Sequence, residues 1–194
     1  MTLNNNYSHI LMPDFFVRKI EQYVSDFHLD FGCGNGWFTN YLASRYEDIR
    51  IIGYDIPESL DYAKRLFKKI GMPHTDSLTQ LSSIAPFDSA TLTFVLHETD
   101  DPVLERVHGL LREGSYVCIL DYELRGKDEQ EFRNLFTAEL EQEEINRLGI
   151  DEAYRIHTSK GIDECVNLGE SIGFKTLEKE VMLDKYYIWV GYKS

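Results

Sequence analysis

The chain has 194 residues, 43% of them hydrophobic and 13% aromatic, an ordinary balance for one globular domain with a sizeable core. Acidic residues number 33 against 20 lysines and arginines, for a net charge of −13. Because nucleic-acid binding depends on basic side chains that replace phosphate counterions, this charge disfavours a DNA or RNA partner.

Strand-like and helix-like segments alternate along the chain, which predicts an α/β fold with a doubly wound, mostly parallel sheet and helices on both faces. Residues 1–194 are expected to form a single domain. Thr158 or Ser159 is the expected cap of the last helix, which ends at Gly173. The remaining expected elements are helices at about 13–24, 37–45, 58–70 and 101–112, a strand at 116–121, and a closing antiparallel hairpin with strands at 174–180 and 185–192.

The most informative segment follows the apolar run Phe27–Leu29 and reads Asp-Phe-Gly-Cys-Gly-Asn-Gly over residues 30–36. It predicts a strand that ends in a carboxylate and then turns on three glycines into a helix beginning near Trp37. Glycine is needed where the backbone takes a positive φ or lies against a ligand without an intervening Cβ. Since the unpaired N–H groups of a helix start suit a carboxylate or phosphate, this turn predicts a nucleotide-like ligand.

The glycine spacing narrows the choice of ligand. A dinucleotide oxidoreductase places its third glycine where this chain has Trp37, and no Lys-Ser or Lys-Thr follows as in a phosphate-binding loop. The pattern acidic-x-Gly-x-Gly-x-Gly resembles instead the first motif of the class I S-adenosylmethionine (SAM) methyltransferases. This resemblance implies a Rossmann-like, seven-stranded sheet and puts Asp30 near the amino acid moiety of SAM. It also implies that the methionine portion lies against the main chain of Gly32, Cys33, Gly34 and Gly36.

A second acidic strand end lies further along, where the β-rich run Arg-Ile-Ile-Gly-Tyr at residues 50–54 leads into Asp55. Doubly wound sheets place an acid here to accept hydrogen bonds from the ribose hydroxyls of a nucleoside. The resemblance implies this role for Asp55 and places Ile56 against the adenine face. Asp55 also suits the N-cap of a helix with Pro57 in its first turn, and the two roles are compatible.

Two further segments are similar to the same family. After the expected third strand, the resemblance makes Asp76, with Ser77 beside it, the acceptor for the adenine amino group, although an Asp in a turn also serves local hydrogen bonding. The run 87–98 predicts a buried strand that leaves the sheet at Leu96 and His97, where the methyl group of SAM is expected. His97 is the candidate catalytic base for a hydroxyl acceptor. Alternatively, His97 hydrogen-bonds the loop and helps to hold the cofactor.

The chain departs from the family between residues 125 and 157. A helix-like stretch here has one apolar face, which includes Phe132, Phe136 and Leu140, and we expect a helical lid over the acceptor pocket. Its other face is acidic, which either favours a cationic acceptor or is merely solvated. Residues 1–24 are expected to form a second cover, so the pocket is predicted to admit a small molecule.

Together these features predict a SAM-dependent methyltransferase that acts on a small-molecule acceptor by in-line displacement and releases S-adenosyl-L-homocysteine (SAH). The alternative is a SAM-binding protein without transfer activity that serves as a partner or regulatory subunit. No metal site is expected, because the three cysteines lack zinc spacing and strand-end acids are too few. No apolar run suits a membrane span and the first residues lack a secretory signal, so we expect a cytoplasmic protein.

Overall fold

The computed structural model describes residues 14–57, 60, 74–99 and 102–194. Residues 1–13 of the expected N-terminal cover therefore lie outside the described residues. So does the expected helix at 58–70, apart from residue 60. None of the described helices has the length and apolar character that a membrane crossing requires. The elements are α1 (Asp14–Glu21), β1 (Phe27–Phe31), α2 (Trp37–Arg45), β2 (Arg50–Tyr54), β3 (His74–Thr75), α3 (Leu78–Ile84), β4 (Phe87–Thr93), α4 (Val103–Leu110), β5 (Leu111–Tyr122), α5 (Glu129–Leu135), α6 (Glu139–Leu148), α7 (Ile150–His157), α8 (Ile162–Ser171), β6 (Phe174–Met182) and β7 (Tyr186–Lys193).

The described strands join one seven-stranded sheet in the order β3-β2-β1-β4-β5-β7-β6. Neighbouring strands from β3 to β5 are parallel, whereas β7 runs antiparallel to both β5 and β6. The predicted doubly wound sheet and C-terminal hairpin are thus confirmed. The strand order reverses at β1, which lies between β2 and β4. In such sheets the ligand crevice opens beyond the carboxyl ends of the strands at this reversal.

Strand β5 illustrates how the sheet is buried on both faces. Val117 and Ile119 pack with residues of α4 and α8 on one side, whereas Cys118 and Leu120 pack with α1 and α2 on the other. Successive side chains of a strand point to opposite faces, so a strand covered by helices on both sides is apolar throughout. This two-sided packing fixes the strand ends from which the candidate site is built.

Three helices, rather than one continuous helix, occupy most of the stretch between residues 125 and 157. Gly149 has a φ of 84° and separates α6 from α7. Phe132 and Phe136 are buried and pack with Tyr122 of β5 in a third, smaller core cluster. The side chain of Leu140 lies outside the described residues. The apolar side of this stretch is therefore attached to the sheet at the end of β5.

Two local features differ from the sequence patterns. Helix α3 was not predicted; Ser77 caps it, since its hydroxyl accepts a hydrogen bond of 3.2 Å from a backbone N–H of the first turn. The prediction that Thr158 or Ser159 caps α8 is wrong, because Gly161 precedes that helix. Both hydroxyls donate instead to carbonyls at the end of α7, where they satisfy groups that the helix end leaves unpaired.

Candidate active site

The turn after β1 consists of main chain in the left-handed region. Gly32, Gly34 and Gly36 have φ values of 79°, 51° and 76°, which non-glycine residues rarely adopt. A Cβ at Gly32 would lie 2.3 Å from Val95 Cγ2, whereas a Cβ at Gly34 would meet no atom within 4 Å. Close packing therefore requires glycine at position 32, while Gly34 borders open space in which a ligand can approach the backbone.

Strand β2 fixes this turn through hydrogen bonds from backbone N–H groups. Gly32 N and Cys33 N donate to the carbonyl of Tyr54 at 2.8 and 3.0 Å. Gly34 N donates to Asp55 Oδ2 at 2.6 Å, so the second acid directly supports the glycine turn. Burial raises the pKa of the Cys33 thiol, which keeps this cysteine protonated and unsuited to act as a nucleophile.

The ends of β2 and β3 lie side by side. Asp55 Oδ1 accepts from the N–H of Ile56 at 2.7 Å, and the Ile56 side chain is 54% exposed, which suits an apolar surface for a ligand ring. The register pairs the last residue of β2 with Thr75, so Asp55 and Asp76 follow adjacent strands. Asp76 is exposed, and Ser77 is the cap of α3.

Asp30 lies below the turn and is only 1% exposed. Its carboxylate accepts hydrogen bonds from the hydroxyls of Thr39 on α2 and, at 3.2 Å, Thr91 on β4. Thr91 also contacts Nε2 of the buried His28 at 3.0 Å. Burial raises the pKa of Asp30 to about 6 and lowers that of His28 to about 3. This carboxylate therefore links β1 to α2 and β4 from inside the protein.

A buried carboxylate also holds the loop after β4. Asp121 Oδ2 accepts from Leu96 N at 2.8 Å and His97 N at 3.2 Å. Its Oδ1 accepts from Tyr122 N at 2.8 Å and lies 2.6 Å from His97 Nδ1. Asp121 was not among the predicted site residues, although its signal was present, because an acid lies near the end of β5 as it does at the ends of the β1 and β2 segments.

His97 is a buried cation in this arrangement. Burial alone would lower its pKa, but the charge and hydrogen bond of Asp121, helped by Glu98, raise it to about 10. The same interaction lowers the pKa of Asp121 against the effect of burial. His97 Nε2 lies 3.6 Å from Glu98 Oε1, and the His97 ring lies against that of His157 with a centroid distance of 4.5 Å.

Two further groups at the end of β4 were missed by sequence reasoning. Lys160 donates to the carbonyls of Leu96, at 3.0 Å, and of Thr99, so a cation holds the same loop as Asp121. A lone lysine between two helices carries no recognisable sequence signal. Thr93 Oγ1 is buried without a hydrogen-bond partner among the described residues, and it lies two residues after Thr91 on the same face of β4.

Aromatic rings surround the other side of the β4 exit. Phe94 takes a φ of 58°, an uncommon value for a non-glycine residue. Its ring lies 5.0 Å from that of Tyr122 and 5.8 Å from that of Tyr186, measured between centroids. Glu141 links helix α6 to these rings. It is buried and lies 2.5 Å from Nζ of Lys185, the residue that precedes Tyr186. The helical stretch is thus connected to the β4 exit through both packing and charge.

The predicted residues therefore form two groups beyond the carboxyl ends of the strands. The glycine turn, Asp55 and Asp76 lie at the ends of β1 to β3, and Leu96 and His97 lie at the end of β4. The described residues contain no group of three or more His, Cys, Asp or Glu that could hold a metal ion.

Sequence comparison assigns this region to a family. Residues 29–117 match the family described as a methyltransferase domain. This segment contains the glycine turn, Asp55, Asp76 and His97, whereas Asp121 and the helices α5 to α7 follow it. None of the curated proteins compared with the chain matches it.

Solved structures share the fold of this chain. An O-methyltransferase family protein from Burkholderia thailandensis is 14% identical with a TM-score of 0.68, and the match covers 93% of this chain and 56% of that one. A SAM-dependent methyltransferase from Aquifex aeolicus is 16% identical with a TM-score of 0.65, and the match covers 97% and 93% of the two chains. The chain spans only about half the length of the first of these similar structures.

A third structure with this fold contains small molecules. It is the B. thailandensis 1,6-didemethyltoxoflavin-N1-methyltransferase with bound 1,6-didemethyltoxoflavin and SAH, which is 18% identical with a TM-score of 0.64. The match covers 98% of this chain and 80% of that one. At such identities the likeness extends to the fold alone.

Proposed function

We propose that the protein transfers a methyl group from SAM to a small-molecule acceptor and releases SAH. The observation that carries this proposal is the turn after β1, where left-handed main chain borders open space at Gly34 and is fixed by Asp55. This turn lies at the reversal of strand order, where α/β sheets bind ligands, and within the segment that matches a methyltransferase domain. Similar structures that act on small molecules support the choice of acceptor class.

The residues around the turn fit SAM. The bare Cα at Gly34 lets the methionine portion approach the main chain, and Asp55 is placed to accept hydrogen bonds from the ribose hydroxyls. The exposed Ile56 side chain offers an apolar surface to the adenine ring. Asp76, with Ser77 beside it, is assigned to the adenine amino group, and Leu96 to the neighbourhood of the methyl group. Bound SAM supplies an electrophilic methyl carbon on its sulfonium.

Asp30 and His97 are assigned supporting roles. Asp30 is buried and holds Thr39 and Thr91, so we assign it to fixing the strand beneath the cofactor. His97, whose pKa is raised to about 10, is cationic at neutral pH and has no free lone pair with which to accept a proton. Of the two predicted roles for His97, the geometry favours positioning of the β4 exit over general base catalysis.

We also assign the helices α5 to α7, within the stretch 125–157, to a lid over the acceptor, with residues 1–24 as a second cover of the single domain. The described acids Asp128, Glu129, Glu131 and Glu143 are exposed, and the buried Glu141 is already paired with Lys185. These residues offer no unpaired inward charge, and the partly buried Glu144 lies 3.6 Å from the cation Arg147. We therefore favour a neutral acceptor. A cytoplasmic location is part of the same proposal.

Titration calorimetry with SAM, SAH and NADH tests the cofactor assignment. We expect binding of SAM or SAH in the micromolar range and no binding of NADH. Asp55→Ala removes the support of Gly34 and the ribose acceptor, and we expect a loss of affinity of about ten-fold or more. The exposed Asp48 provides the control variant Asp48→Ala, which should retain wild-type affinity.

Equal affinity of the Asp55→Ala and wild-type proteins for SAH would refute the cofactor placement. Methyl transfer is tested separately with methyl-labelled SAM and a broad panel of small acceptors. SAM binding without labelled product from any acceptor would favour the alternative of a binding protein without transfer activity.

A further inference from the structure

The turn after β4 carries one exposed carboxylate. The N–H of Thr99 closes this turn by donating to the carbonyl of Leu96 at 3.4 Å. Leu96 and His97 are buried, whereas Glu98 is the only exposed residue between positions 94 and 99. The Glu98 side chain is 53% exposed. Glu98 is therefore the residue through which the β4 exit can contact a molecule that enters from solvent.

The backbone that carries Glu98 is held from two neighbouring elements. Asp121 on β5 accepts hydrogen bonds from two backbone N–H groups of the turn. Lys160, which precedes α8, donates to the carbonyls of Leu96 and Thr99. A side chain on such a fixed turn binds a partner with little further loss of backbone freedom.

The Glu98 carboxylate is charged and retains acceptor capacity. Glu98 Oε1 lies 3.6 Å from His97 Nε2, and this interaction lowers the pKa of Glu98 against the effect of burial. At neutral pH the carboxylate is therefore ionised and only accepts hydrogen bonds. Because a carboxylate offers about four lone-pair sites, the contact at Oε1 leaves Oε2 available to a donor.

The surroundings of Glu98 favour a neutral donor. The turn combines two carboxylates, Asp121 and Glu98, with two cations, His97 and Lys160, so these four groups carry no net charge. His97 also places Glu98 beside the stretch that we assign to the lid, because its ring lies 4.5 Å from that of His157 at the end of α7. The exposed carboxylate therefore lies where the β4 exit meets this helix.

We propose that Glu98 binds the acceptor, and that its carboxylate accepts a hydrogen bond from an O–H or N–H group of a neutral molecule at the β4 exit. This inference rests on the proposed methyltransferase function, because it names the residue and the chemical group by which the acceptor is recognised. The role differs from that of His97, which is buried and positions the turn, since Glu98 itself touches the acceptor.

The test uses the full-length protein saturated with SAH and labelled with ¹³C at the glutamate carboxyl groups. The probes are phenol and aniline, which carry a donor, and toluene, which has nearly the same shape but no donor. We expect phenol and aniline to shift the Glu98 resonance, which Glu98→Met identifies by its loss. Glu98→Met should weaken binding of phenol and aniline by about ten-fold or more, as loss of a hydrogen bond to a charged group predicts, and binding of toluene by less than about two-fold.

Glu105→Met is the matched control, because Glu105 is an exposed acid on α4, and it should retain wild-type affinity for every probe. A Glu98 resonance that phenol and aniline leave unmoved would overturn the inference. So would equal affinity of the Glu98→Met and wild-type proteins for phenol, or a loss of toluene binding as large as that of phenol. Calorimetry with SAH on the same samples separates the two proposals, since a protein that binds SAH but gives one of these results contradicts only this inference.

Discussion

Replacement of Asp121 by Asn tests the interaction that organises the β4 exit. The carboxylate accepts hydrogen bonds from Leu96 N, His97 N and Tyr122 N, and it faces His97 Nδ1 at 2.6 Å. An amide has a single acceptor oxygen, so its NH₂ group must face donors. The variant also leaves the buried His97 without its counter-ion. Removal of one partner of a buried ion pair typically costs about 3–5 kcal/mol.

For a domain of this size, that loss corresponds to a Tm lower by roughly 10 °C. Thermal unfolding by circular dichroism at pH 6 measures the effect, with the exposed Asp48→Asn as the control, which should stay within about 0.5 kcal/mol of wild type. Histidine NMR supplies a second readout. Without Asp121 the effect of burial dominates, and the pKa of His97 should fall below its ordinary value of 6.5.

The pH dependence of the Tm difference follows from the two pKa shifts. Because the pKa of His97 is raised, its contribution to stability is complete below pH 6.5 and is lost as the pH rises through about 10. The pKa of Asp121 is lowered, so its contribution is complete above pH 3.8 and is lost as the pH falls through the depressed value. The difference in Tm should therefore be largest between these limits and shrink towards pH 10. A variant within about 1 kcal/mol of wild type at pH 6, or a His97 pKa that stays above 6.5, would refute the ion-pair interpretation.

Three other substitutions give separable results. Gly32→Ala combines a φ of 79° with a Cβ only 2.3 Å from Val95. It should lower stability by about 1–3 kcal/mol and SAH affinity by more than ten-fold. The control Gly126→Ala, at the same φ but in open space, should leave SAH affinity unchanged in calorimetry. Lys160→Met removes two hydrogen bonds to loop carbonyls and should cost about 1–3 kcal/mol in urea unfolding; no measurable loss would show that the loop is held without it. Burial raises the pKa of Asp30 from 3.8 to about 6, so its contribution to stability declines by about 3 kcal/mol as the pH rises through that range. The Asn side chain of Asp30→Asn stays neutral. This variant should therefore lack the decline when unfolding is compared at pH 4 and pH 8.

Local signals in the sequence account for the sheet and for one side of the site. Alternating apolar runs predicted a parallel sheet, because strands covered on both faces must be apolar throughout. The three glycines and the acid at position 55 were recognisable because left-handed backbone and close approach restrict the residue type strongly. Helix α3 escaped prediction because its capping signal, Ser77 before a short polar run, is common in loops as well.

The sequence by itself determined the order of the elements, the glycine turn and the acids that follow the first strands. Tertiary structure alone decided which buried polar groups meet: Asp121 with His97, Glu141 with Lys185, and Glu144 opposite His157. It also decided that the Asp30 carboxylate is buried against Thr39 and Thr91. Such pairs join residues 13 to 44 positions apart, and their distances depend on how helices pack on the sheet. No local spacing rule encodes that packing, whereas a positive φ is a property of a single residue.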